Sequence, residues 1–325
     1  MTFDIIRFNI RVVYYIINFT GENIRKVSYM IWNKIATALG SVVLIGFLIS
    51  VVIYFGERVS LNKSKVKEGR RNLAIITGAS SGLGRDFGKF LDEHREYGVD
   101  ELIVIARRRE RLEELKNSLS IPTTVYPMDM RYEGELNEFQ KFLKKKVEEE
   151  DFDIKYLINS AGLGFKGESL ELGAEKEIGT LKINCEAQIS IIHIAANLMR
   201  DGGNIIQIAS VAAFSPIGYM NAYSASKGFI YNYTRGLRSE LLKKGINVTT
   251  VCPYFIDDTE FVGKANMGDK KFFLPLKSKH VVEKSMRDTK RKFAMSTPGV
   301  VATVNRIFSG LIPDEVMVYL TRLFV

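Results

Sequence analysis

Tyr223 and Lys227 stand four residues apart in the run Tyr223-Ser224-Ala225-Ser226-Lys227. On a helix that spacing puts both side chains on one face, one turn apart. A phenol ordinarily titrates near pH ~10. An ammonium beside it favours the phenolate, so the pair predicts a lowered Tyr223 pKa. Such a phenol can protonate a developing alkoxide, or take the proton in the reverse direction. Ser210 closes the stretch Ile208-Ala209-Ser210 and offers a hydroxyl to a carbonyl oxygen. Tyr/Lys pairs at this spacing are common on helix surfaces, so the pair needs company before it means anything.

That company includes Thr77-Gly78-Ala79-Ser80-Ser81-Gly82-Leu83-Gly84, which follows the apolar run 72–77. Glycines at a strand-to-helix turn let the backbone approach a pyrophosphate, and the helix N-terminus offers free N–H groups. The spacing is GxxxGxG, not the commoner GxGxxG. Gly78, Ser80, Ser81, Gly82, Leu83 and Gly84 are the predicted cofactor contacts. A second apolar run ends at Ala106 and leads into Arg107-Arg108-Arg109. An acidic residue here would suit a ribose 2′-OH. Guanidinium groups instead suit a 2′-phosphate, which points to NADP(H). Arg107 is the first candidate, with Ser80 as a second contact; the bland alternative is a solvated helix start. Cys185 and Cys252 read as reduced core thiols, and no His/Cys cluster suggests a metal.

These residues need a scaffold, and the pattern supplies one. Short, mostly β-branched runs at 72–77, 101–106, 123–128, 155–159, 203–209 and 246–252 alternate with helical patterns at 83–97, 109–119, 133–149, 174–200 and 222–243. The expected fold class is α/β, a Rossmann-type doubly wound parallel sheet.

Ahead of it, residues 35–56 are 22 uncharged, mostly apolar residues. As a helix they would span about 33 Å, enough for a transmembrane segment. Residues 5–19 are also apolar but carry Arg7 and Arg11 on one face, which reads as an interfacial amphipathic helix; a second short span is the alternative. The chain's net charge is +9, and residues 1–71 carry eleven Lys/Arg against four Asp/Glu. The basic surplus therefore flanks the apolar segment, which favours an anionic membrane face and no nucleic-acid partner. Arg25, Lys26 and Lys34 precede the span; Arg58, Lys63, Lys65, Lys67, Arg70 and Arg71 follow it. The heavier side is C-terminal, predicting a single-pass protein with its catalytic domain in the cytoplasm. The expected organisation is 1–34 interfacial, 35–56 transmembrane, 57–71 basic linker, 72–265 catalytic domain and 266–325 substrate loop with apolar helices.

Taken together, the motifs over about 72–265 resemble the short-chain dehydrogenase/reductase family. Asn159-Ser160-Ala161-Gly162 is similar to its NNAG segment, with Ser160 replacing an Asn. The resemblance implies that Asp129 contacts adenine and that Asn184 supports a proton relay. It implies Ser210, Tyr223 and Lys227 as the catalytic Ser, Tyr and Lys, with Lys227 also binding the nicotinamide ribose. Pro253 would lie against the cofactor. The family's Pro-Gly is Pro253-Tyr254 here, and Asp258 stands where a Thr near the carboxamide is usual, with Thr259 one place late. The Pro-Tyr-Phe run resembles membrane-bound hydroxysteroid and 3-oxoacyl-CoA reductases of the family. A hydrophobic carbonyl or alcohol substrate, and a homodimer or tetramer, follow as expectations. The competing reading is a membrane-tethered, non-catalytic NADP(H)-sensing or scaffolding module. In 299–325 Pro313 should divide two short helices, which either pack on the core or a dimer partner, or lie on the membrane surface.

Overall fold

The computed structural model describes residues 2–62, 69–265, 274–310 and 312–324. Lys63, Lys65 and Lys67 of the expected linker, and 266–273 of the expected substrate loop, lie outside the described residues. So do the side chains of Arg7, Arg11, Arg25 and Arg58. The chain divides into two units, 1–59 and 60–325.

In the first unit, one helix, α1 (Thr2–Asn62), runs for 61 residues. The expected boundaries at 34 and 56 are therefore not breaks in structure. The physical reason is plain: no proline occurs in 1–71 to interrupt the hydrogen-bond ladder. Within it, 28–57 has a mean hydropathy of 2.5, long and apolar enough to cross a membrane. Three of its hydroxyls bond back to the helix: Thr37, Ser41 and Ser50 donate to the carbonyls of Asn33, Thr37 and Gly46 at 2.8–2.9 Å. Its large side chains, such as Trp32, Val43 and Phe47, are exposed.

The second unit is built on seven parallel strands: β1 (Arg71–Thr77), β2 (Glu101–Ala106), β3 (Thr123–Pro127), β4 (Phe152–Asn159), β5 (Asn204–Ile208), β6 (Asn247–Val251) and β7 (Met295–Ser296). Their order is β3-β2-β1-β4-β5-β6-β7. Between and after them come α2 (Gly82–Glu93), α3 (Arg109–Asn117), α4 (Glu133–Glu149), α5 (Ser169–Leu172), α6 (Ala174–Leu181), α7 (Ala187–Leu198), α8 (Asn221–Leu241), α9 (Phe261–Lys264), α10 (Ser278–Lys290), α11 (Val300–Ser309) and α12 (Asp314–Phe324). The Rossmann-type expectation holds, with β7 added at one edge.

Side chains alternate across a strand. Leu73 and Ile75 therefore join one core with Phe139, Leu143 and Ile191, while Ala74 and Ile76 join another with Phe87, Leu112 and Met286. A sheet covered on both faces needs strands that are apolar throughout. That is why 73–76 reads as a continuous apolar run rather than an alternating one.

The stretch expected as one helix over 174–200 is interrupted. A π-helical turn at Lys182–Glu186 separates α6 from α7. Such single turns widen a helix locally and recur at functional sites.

Candidate active site

Strand order reverses between β1 and β4, and ligand crevices open at the carboxyl ends of strands at such a point. Thr77 lies opposite Asn159 there. Thr77 Oγ1 donates to Asn159 Oδ1 at 3.1 Å and accepts from the amides of Ser160 and Ala161 at 3.1 Å. Asn159 Nδ2 donates to the Gln188 carbonyl at 3.3 Å. Asn159 is thus fully buried and turned inward. It ties the strand ends together and does not line the cavity that they face.

The glycines divide their labour. Gly78 has φ +69°, and a Cβ there would lie 2.8 Å from the Ala161 backbone. A Cβ on Gly84 would meet the Gly78 carbonyl oxygen at 2.5 Å, so Gly84 lets α2 sit close to β1. Gly78 and Gly82, unlike Gly84, line the cavity with Ser80, Ser81 and Leu83. Without side chains at these positions the turn stays tight and forms a cradle open to the cavity, suited to a pyrophosphate at the N-terminus of α2.

Next to this cradle, Arg107 and Arg108 both line the cavity. Arg107 is exposed. Arg108 makes the contacts: its Nη2 donates to Ser80 Oγ at 3.1 Å, Ser81 Oγ at 3.2 Å and Glu260 Oε2 at 2.9 Å. Arg111 Nη1 holds the other carboxylate oxygen of Glu260 at 2.7 Å. Asp129 lines the cavity too, but its carboxylate is gripped by Arg131 at 2.6 Å, which holds its pKa below the usual carboxylate value.

The catalytic candidates converge on the same cavity. Ser210 follows β5 in extended backbone, and its Oγ accepts from the Ala212 amide at 3.1 Å. The Ser210 and Tyr223 side chains line the same stretch of cavity wall, close enough for the Ser210 hydroxyl to favour the Tyr223 phenolate. Tyr223 and Lys227 are one turn apart near the start of α8, with Lys227 Nζ 5.6 Å from the Tyr223 ring centre. Lys227 Nζ donates to the Ile208 carbonyl at 3.0 Å. Burial pushes the Lys227 amine down to about 8.

Burial also pushes the Tyr223 phenol up to about 12, while the Ser210 hydrogen bond pulls the other way. This corrects the expectation of a lowered phenol pKa. Desolvation of the phenolate outweighs an ammonium that is itself discouraged by burial. The phenol therefore stays protonated at neutral pH, the form a proton donor needs.

Asn184 sits in the π-helical turn and is buried. Its Oδ1 accepts from the Leu163 amide at 2.9 Å, and its Nδ2 donates to the Leu163 carbonyl at 2.8 Å and Ser226 Oγ at 2.9 Å. It braces the loop after β4 against α8, beneath the cavity wall. Pro253 lines the cavity, and its carbonyl accepts from the Val211 amide at 3.1 Å.

The cavity has a volume of about 1060 Å³. Away from the glycine cradle its lining turns apolar, with Ile217, Met220 and Phe255 joined by Val301 and Phe308 of α11 and Met317 of α12. The C-terminal helices therefore roof the cavity, yet Val300, Val304 and Ile307 on α11 and Val316 and Tyr319 on α12 stay exposed. The unusual Asp258 has another job: it accepts from the Ser278 amide at 2.9 Å at the start of α10. Thr259 lies against the glycine turn, 3.3 Å from where a Gly82 Cβ would be. Sequence reasoning missed the Arg108–Glu260–Arg111 set, whose members lie about 150 residues apart; only an acidic residue beside the family's Thr position hinted at it.

Residues 72–270 match the family described as short chain dehydrogenase. The chain belongs to the short-chain dehydrogenase family. An uncharacterized oxidoreductase of Staphylococcus epidermidis is 27% identical over 210 residues, covering 64% of this chain and 86% of the relative. A short-chain dehydrogenase from Sphingobium yanoikuyae in complex with NADPH superposes with a TM-score of 0.63 at 24% identity, over 76% of this chain and 95% of that one. One from Burkholderia phymatum in complex with NAD gives 0.63 at 18% identity, over 75% and 94%. This short-chain dehydrogenase is accordingly an oxidoreductase that uses a nicotinamide cofactor, and the cradle, the arginines and the Ser210–Tyr223–Lys227 set fit one.

Proposed function

We propose that this short-chain dehydrogenase is NADP(H)-dependent and interconverts a ketone and a secondary alcohol on a hydrophobic, lipid-like substrate at a membrane. The observation that carries the reading is the convergence of Ser210, Tyr223 and Lys227 on one cavity, between an arginine-bearing glycine cradle and a mainly apolar chamber. The nicotinamide, when bound, supplies or accepts the hydride. Gly78 and the N-terminus of α2 receive the pyrophosphate. Arg108 with Ser80, and Arg107 beside them, receive the 2′-phosphate by charge-assisted bonds. Ser210 Oγ holds the substrate carbonyl oxygen against Tyr223, whose hydroxyl proton passes to that oxygen as it becomes an alkoxide. Lys227 stabilises the phenolate left behind and reaches the cofactor ribose. The roof of α11 and α12 excludes water from the reacting centre.

The membrane part of the reading rests on 28–57 of α1 and on the exposed apolar faces of α11 and α12. The catalytic domain lies on the side of the heavier basic flank, the cytoplasm. A nucleotide-sensing scaffold is the weaker reading, because it has no use for a Ser–Tyr pair on a substrate chamber.

The test is NADPH and NADH oxidation by detergent-purified full-length protein, offered hydrophobic ketones and 3-oxoacyl thioesters. Turnover with NADPH is expected, with kcat reduced by about 10³-fold in Tyr223→Phe while cofactor affinity is kept. Tight NADPH binding with no turnover on any of these would favour the scaffold.

A further inference from the structure

We propose that Glu260 is an internal competitor for the 2′-phosphate site, a specificity-determining carboxylate that must leave Arg108 before NADP(H) binds fully. The inference rests on the NADP(H) reading above and deepens it.

Arg108 precedes α3 and Arg111 lies in its first turn, so both guanidinium groups stand near a helix N-terminus that itself favours anions. The anion present is Glu260, with one carboxylate oxygen on each arginine at 2.9 and 2.7 Å. The Nη2 that serves Glu260 also serves Ser80 and Ser81. That nitrogen carries two hydrogens, so three acceptors already share them. A phosphate arriving beside Ser80 meets an arginine already engaged and a carboxylate of its own sign. Exchange of carboxylate for phosphate removes the repulsion and keeps the guanidinium paired. A ribose with a free 2′-OH brings no charge to displace Glu260, so the exchange is specific to the phosphorylated cofactor.

The neighbours of Glu260 give the exchange a second consequence. Thr259 packs against the glycine turn, and the Phe261 ring lies 5.2 Å from the ring of Tyr223. Two residues along one short stretch therefore touch the cofactor cradle and the catalytic tyrosine, with Glu260 between them. Its release from Arg108 loosens one of the two arginine holds on the stretch beside Tyr223, with Arg111 keeping the other, so phosphate arrival bears on the packing around Tyr223.

Direct binding tests this without turnover. Calorimetry on the full-length protein in detergent would use NADPH, NADH, 2′,5′-ADP and 5′-AMP. The ion pairs are about one-third exposed, so their loss is modest. Glu260→Gln is expected to tighten NADPH and 2′,5′-ADP by about five- to ten-fold while NADH and 5′-AMP change by less than about two-fold. Glu260→Asp, which keeps the charge, should stay nearer the wild type than the glutamine variant does. Weaker NADPH binding in Glu260→Gln would mean that the carboxylate positions Arg108, and it would overturn the proposal. Equal shifts for phosphorylated and unphosphorylated ligands, or no shift, would overturn it as well. Arg108→Gln separates the two readings. If it lowers 2′,5′-ADP affinity but Glu260→Gln raises nothing, the competitor fails and the NADP(H) reading stands. If wild type shows no preference for the 2′-phosphate and Arg108→Gln changes nothing, both fall.

Discussion

The two ends of the cavity are made differently. The cofactor end is mostly backbone, short side chains and two arginines, delivered by neighbouring strand ends within 78–83, 106–108 and 128–130. The substrate end is assembled from distant pieces, the loop after β5, the stretch after β6, α11 and α12, and its surface is mainly apolar, with Ser215, Asn305, Ser309 and Thr321 as its polar members. A phosphate needs directed donors at fixed positions, which a strand-to-helix turn provides in a few residues. An apolar chamber needs only volume and exclusion of water, which any set of packed helices can provide. One end is therefore constrained residue by residue, and the other is free to vary in shape.

Four experiments bear on that contrast. The largest effect is expected from Gly164→Ala. A Cβ there would lie 2.6 Å from the Tyr223 ring, so the ring must move. Displacing a reacting group by about 1 Å costs about 100-fold in kcat. Cofactor affinity by calorimetry should hold, and if it falls in step the two ends are not separable.

The pH response comes next. Lys227 titrates at about 8 in the fold, below its ordinary value of 10.5. Below pH 8 both the folded and unfolded forms carry the charge, and the fold bears its full cost. Between 8 and 10.5 the folded state has given up the proton that the unfolded chain keeps, so stability should rise with pH. Activity that needs the ammonium should fall about ten-fold per pH unit over the same window. A thermal melt and a kcat profile across pH 7–10 moving in the same direction would contradict the assignment.

Met317→Ala works on the substrate end alone. Removing this buried side chain from the roof loses apolar contact worth about 1.5 kcal/mol, so KM for an apolar ketone should rise about ten-fold. NADPH affinity measured in parallel should not move. The smallest effect is Asp258→Ala, which removes the acceptor for the Ser278 amide at the start of α10. A loss of about 1 kcal/mol in chemical denaturation is expected, with kinetic constants nearly unchanged. A large kcat effect would instead place Asp258 in the cofactor site.

The contrast also explains which parts could be read from sequence. The glycine motif and the Tyr223/Lys227 pair were legible because their chemistry is local: a turn of fixed length, and one helical turn. The α/β order was legible because buried parallel strands are apolar throughout. Which of Arg107 and Arg108 would reach Ser80 was not, since it depends on the angle at which α3 begins. Glu260 was hidden because nothing local marks a partner that lies 152 residues away in the chain. The Tyr223 pKa was misjudged because burial, a property of the whole fold, outweighs one neighbouring charge. Asn159 matched a cofactor motif but serves the strand ends, a role that its hydrogen bonds reveal and its letter does not. The two-residue β7 is too short to leave a pattern.

The π-helical turn at Lys182–Glu186 carries a constraint on chain length. One residue more or fewer turns everything downstream by about 100°. Asn184 would swing away from Leu163 and Ser226, and the apolar face of α7 would rotate off the sheet. Yet 174–200 looks in sequence like ordinary helix, where nothing marks an insertion as harmful. Over this stretch, drift by substitution is cheap and drift by insertion or deletion is closed.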